Sequence, residues 1–151
     1  MIEKLRNLSN KFRCALEGFS GIENPKDEYE KDINLRLNNF PDLSCSEVTQ
    51  FLGHYLLFDN GITPLKQCMG NYKPTWGFHI WLQHNDILID ITADQFEDNN
   101  DKVIVTNNST FHKKNFDSLK ISDGLFDFVH WNDAYKKYYK LLIEYLNNNC
   151  T

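Results

Sequence analysis

Cys45, His79 and Asp90 are residues of the types from which a nucleophile, its base and an orienting acid are assembled. A thiolate attacks a carbonyl carbon, an imidazole takes the thiol proton and returns it to a leaving group, and a carboxylate fixes the imidazole tautomer. The three lie far apart along the chain, so this chemistry exists only if the intervening elements gather them.

The cysteine opens an amphipathic segment, "LSCSEVTQFLGHYLLFDNG". Val48, Phe51, Leu52, Tyr55 and Leu56 follow the i, i+3, i+4, i+7, i+8 pattern of one helical face, and Cys45 continues that stripe backwards. Ser44 and Glu47 match the S-x-x-E capping box, with Asp42 as the rival cap; either puts Cys45 in the first turn. There the unpaired backbone N–H groups and the positive dipole end favour thiolate and can hold an oxyanion. Gly61 in "DNG" is a left-handed stop.

The base and acid come from "GFHIWLQHNDILIDIT", the clearest β signal in the chain, with apolar residues on both sides of a polar "HND". A turn at Asn85-Asp86 sets His79 opposite Thr92 and diagonal to Asp90; a turn at His84-Asn85 sets it opposite Asp90. Period-two alternation puts His79 and Asp90 on one face in both registers, within reach of a His–carboxylate bond. Trp81 shares that face. An unpaired aspartate inside "ILIDIT" would be costly to bury, which argues for a partner or for an edge facing water. Of the other histidines, His84 reads as a turn residue and His54 as solvated, while His112 and His130 have no carboxylate spaced to pair with them. No spacing offers the three or four ligands of a zinc centre, so neither a metal nor another cofactor is expected.

The elements around this core follow the same reading. Residues 2 to 19 carry a helical stripe, and "DEYEKDINLRLNNFP" reads as a short helix ending before Pro41. "ITPLKQCMG" and "KVIVTN" read as strands, and "WNDAYKKYYKLLIEYL" as a closing helix whose "NNNCT" tail frays. Helices flanking a run of strands indicate α+β, an antiparallel sheet packed against the helix that bears the cysteine at its N-terminus. The 151 residues read as one domain, 1–151.

A net charge of −5 without a basic block disfavours nucleic acid. No apolar run is long enough to span a bilayer. The charged start lacks the apolar core of a signal peptide, which predicts a chain cytoplasmic as synthesised, with delivery as an effector still open. The cysteines Cys14, Cys45, Cys68 and Cys150 are scattered without a C-x-x-C pair and read as free thiols, Cys45 reactive and the others structural.

"FPDLSC", "HIWL" and "ILIDITADQF" together resemble the papain-like and transglutaminase-like cysteine enzymes, and more narrowly a group of small bacterial transglutaminase-like proteins. The likeness covers Phe40 to Phe96; Leu43 and Ser44 stand where such proteins often have Gly and Cys. It implies a papain-like core in which Cys45 attacks an amide or thioester carbonyl, His79 shuttles the proton and Asp90 holds the ring. The Cys45 N–H would be one oxyanion donor, with Asn38 and Asn39 as candidates for the second. Gln95 would be a supporting group or an anchor for the loop after the strand. Tyr72, Trp76 and Trp81 would line a groove for a peptide or protein amide. Peptidase, glutamine deamidase, transglutaminase and acyltransferase differ only in what resolves the acyl-enzyme, and hydrolysis or deamidation is favoured because water is the default acceptor. The alternative is an inactive binding module of the same fold that recognises a protein partner.

Overall fold

The computed structural model describes residues 1–42 and 44–151; the Leu43 position of "FPDLSC" lies outside them. Helices α1 (Ile2–Gly18), α2 (Glu28–Asn38) and α3 (Cys45–His54) precede the sheet, and α3 runs into a π-helical turn, Tyr55–Asp59. Strands β1 (Lys66–Tyr72), β2 (Phe78–His84), β3 (Ile87–Asp90) and β4 (Ile104–Thr106) come next. A six-residue helix α4 (Thr110–Asn115), strand β5 (Phe116–Ser122) and the long helix α5 (Asp133–Asn149) complete the chain. The fold is α+β, a five-stranded antiparallel sheet in the order β4-β3-β2-β1-β5 with helices.

Local chemistry explains most boundaries. Asp27 accepts a hydrogen bond from the Glu30 N–H and Asn132 one from the Tyr135 N–H, so α2 and α5 start on side-chain caps. Gly61, at φ 66°, supplies the left-handed residue that ends the turn after α3. The capping box at α3 is not formed. Ser44 occupies the cap position, but its hydroxyl bonds the Pro41 carbonyl, and Glu47 is buried beside Arg36 and Tyr135.

The main core lies between the helices and one sheet face. Leu5, Phe12 and Leu16 of α1, Phe51 and Leu52 of α3, and Tyr138, Leu142 and Leu146 of α5 meet Leu82 and Ile89 of the sheet. Each such side chain contributes about 1.5–3 kcal/mol on burial. The opposite face carries a smaller cluster, Cys68, Trp81, Leu88 and Phe116, with Tyr72, Phe96 and Phe111 packed against it. Cys68 pairs with Trp81 and Gly70 with His79, so His79 belongs to this second face.

Three expectations are corrected, and one stretch left without an element proves structured. Cys14 and Cys150 are joined in a disulfide, Cα atoms 6.1 Å apart, leaving Cys45 and Cys68 as the free cysteines. The "NNNCT" tail does not fray up to that point: α5 runs to Asn149, and Cys150 is buried against α1. Residues 110–122, where no periodicity marks an element, form α4 and β5. β5 is an edge strand exposed at six of its seven positions, so it carries no alternation. His54 is buried rather than solvated; its Nδ1 lies 2.7 Å from the Phe126 carbonyl and its ring stacks on Phe128. Among the described residues no helix is long and apolar enough to cross a membrane.

Candidate functional site

The hairpin register decides between the two turns. Leu82 pairs with Ile89 and His84 with Ile87, which makes Asn85-Asp86 the turn, and Asn85 takes the positive φ, 53°, that such a turn requires. Continued toward the start of β2, that register sets His79 diagonal to Asp90. Their contact is made: His79 Nε2 lies 2.7 Å from Asp90 Oδ2, with both side chains 1% exposed.

His79 is packed among rings, stacked on Trp81 and Phe116 and edge-on to Phe96. Gly70, its partner on β1, makes room for them: a Cβ there would fall 2.8 Å from the Phe116 Cβ and 3.2 Å from the Trp81 ring. Burial opposes a charge on the His79 ring. The charge and hydrogen bond of Asp90, together with the Cys45 thiol, outweigh it and raise the imidazole from 6.5 to about 9. Burial likewise pushes the Asp90 carboxyl up, but the His79 charge and the hydrogen bonds from His112 and His79 hold it well below the usual carboxylate range.

Cys45 is the first residue of α3 and is partly exposed. Its thiol lies close enough to the His79 ring to help raise the imidazole. Nδ1, the ring nitrogen that Asp90 does not hold, is buried without a hydrogen-bond partner among the described residues.

The structure adds a residue that sequence spacing did not reveal. His112 Nε2 lies 2.8 Å from the same Asp90 Oδ2 that His79 contacts, correcting the reading that His112 has no carboxylate. The remaining oxygen, Oδ1, accepts the Thr92 backbone N–H at 3.1 Å. An ionised carboxylate only accepts, so both histidines carry their protons on Nε2. Donor atoms of His79, Asp90 and His112 lie within 4.8 Å of one another, the one such convergence among the described residues, although no sequence spacing offered it. A cation there would have to displace both Nε2 protons.

The other expected site residues are placed less centrally. Asn38 and Asn39 are exposed at the end of α2, and the Asn39 amide turns back onto the Leu35 carbonyl. Among the described residues neither makes a hydrogen bond to Cys45, His79 or Asp90. Gln95 donates to the Thr92 carbonyl at 2.9 Å, anchoring the loop after β3. Trp76 is 66% exposed in the β1–β2 loop, Tyr72 packs on Phe96 and Phe116, and Trp81 is buried beneath His112. A cleft of about 400 Å³ opens on this face, with Trp81, Leu88, His112, Phe116 and Leu119 in its wall; Cys45 is not part of it.

Arg13, a residue with no motif around it, clamps the chain that follows Asp90. From α1 it makes two 2.8 Å bonds to Asp94 and one of 2.7 Å to the Ile91 carbonyl. No protein-family model, curated protein or solved structure matches the chain.

Proposed function

We propose that the protein is a cysteine-dependent acyl-transfer enzyme acting on an amide, peptide or glutamine side chain, with Cys45 as nucleophile, His79 as base and Asp90 as orienter, on a papain-like or transglutaminase-like core. The reading rests on one observation: the His79 ring is held on one nitrogen by a buried carboxylate and interacts with a partly exposed thiol at a helix entrance. A core histidine would need an acceptor for its N–H but no thiol beside its ring.

In this reaction the Cys45 proton is already held on His79 Nδ1, whose raised value keeps the ring charged at neutral pH, and the thiolate sulfur attacks the carbonyl carbon. The oxyanion is held by the Cys45 N–H, one of the donors that the first helical turn leaves unpaired. The C–N bond breaks, His79 returns its proton to the leaving nitrogen, and a thioester to Cys45 remains. Water then attacks the thioester carbon, His79 takes its proton, and the thiol is regenerated as the acid departs. An amine in place of water gives cross-linking.

The test is alkylation by iodoacetamide at neutral pH with adduct mapping. Cys68 is buried and its thiol pushed up to about 11, so it contributes no signal. Cys45 is expected to react about tenfold faster than a free cysteine, and His79→Ala to remove the advantage. A Cys45 that reacts at the ordinary rate, unchanged by His79→Ala, rejects the enzyme. The cleft that excludes Cys45 favours a second reading, a binding module, whose ligand affinity would survive Cys45→Ser.

A further inference from the structure

The acyl-transfer scheme uses one histidine on Asp90, yet two are bonded to it. His112 comes from the short helix α4, 22 residues after Asp90, and is 4% exposed. Its ring lies against Trp81, Phe111 and Phe116, an apolar setting in which leucine or phenylalanine would fill the space without a polar group to satisfy. Asp90 is its single hydrogen-bond partner among the described residues, and its Nδ1 is buried without one. An imidazole has been placed there, at a desolvation cost, for that one bond.

We propose that His112 is a positioning residue of the site: its Nε2–H, shared with His79 on one Asp90 oxygen, locks the carboxylate in orientation and weakens its hold on the His79 proton. The proposal rests on the acyl-transfer reading for its purpose and on the hydrogen bonds alone for its geometry. Thr92 fixes Oδ1 and the two rings fix Oδ2, so the carboxylate has no freedom to turn. Two donors on one oxygen each reduce the charge left for the other. His79 therefore keeps a ring that gains the thiol proton yet releases it to a leaving nitrogen, where an undivided carboxylate would retain it.

The titratable groups facing this pair of rings are Asp90 from β3 and Cys45 from α3, with Cys68 of β1, Asp86 of the turn and Lys113 of α4 around the cleft that His112 lines. None of the last three bonds Asp90.

The experiment is ¹⁵N NMR of the histidine rings. In the unsubstituted protein His112 is expected to carry its proton on Nε2; a proton on Nδ1 would overturn the proposal without any variant being made. In the Cys45→Ser chain, His112→Phe is expected to raise the His79 titration midpoint by roughly one pH unit, and His112→Gln, whose amide N–H can take the vacated place, to restore most of it. A folded His112→Phe chain with the midpoint unmoved rejects the role. Should the midpoint move while Cys45 of the unsubstituted protein alkylates no faster than a free cysteine, the acyl-transfer reading fails and the hold of His112 on Asp90 stands.

Discussion

At the scale of single residues the site depends on Asp90, a charge buried at 2% exposure and kept ionised by its neighbours. Asp90→Asn keeps the volume but turns an amide toward two N–H donors. The variant is expected to lose at least about 100-fold in any Cys45-dependent turnover, because the His79 tautomer is no longer enforced. The same pair sets a pH dependence of stability. The folded state raises the His79 value above 6.5, so its contribution is complete below pH 6.5 and is lost as pH rises through about 9. Asp90 is depressed below 3.8, so its contribution is complete above that pH and is lost only on further acidification. Urea midpoints should therefore fall between pH 6.5 and 9.5, and Asp90→Asn should abolish that fall.

At the scale of elements, the parts of the site that alternate were legible and the parts that arrive from elsewhere were not. His79 and Asp90 share a hairpin, and period-two parity puts them on one face with either two-residue turn, although a three-residue loop would break it. Ser44–Glu47 fits a capping box by spacing, but tertiary partners, Arg36 and Tyr135, draw Glu47 inward instead. His112 reaches Asp90 from a helix of under two turns, too short to show a period, and β5 before α5 is exposed along almost its whole length. Arg13 is by spacing one charge in an amphipathic stripe, and only the packing of α1 near the loop after β3 gives it partners. Its forked contacts make a prediction at this scale: Arg13→Ala should cost roughly 3 kcal/mol in urea denaturation, since it strands Asp94. Arg13→Lys should recover less than half, lacking the fork.

At the scale of the whole molecule, the helical layer and the sheet carry different duties. The helices supply most of the core, so Leu142→Ala, at a fully buried position on α5, should cost about 2–5 kcal/mol while leaving Cys45 alkylation unchanged. The Cys14–Cys150 disulfide, separated by 136 residues, ties α1 to the end of α5 on the side away from the His79 face. No spacing rule connects cysteines so far apart, which is why they read as free thiols. Closing so long a loop restricts the unfolded chain, and Cys14→Ser should lower stability by about 4 kcal/mol by thermal or urea unfolding.

Because that bond joins the C-terminal part of the first helix to the residue that follows the last, nearly the whole chain is a covalent ring. One protease cut inside the ring opens it without dividing it. Chymotrypsin acting at the exposed Trp76 should give a species with the mass of the intact chain plus one water, which parts into two fragments only when a thiol reductant is added. The helices and the strands that carry Cys45 and His79 would come from opposite sides of that cut and still be tethered, so a nicked molecule can refold as a unimolecular event.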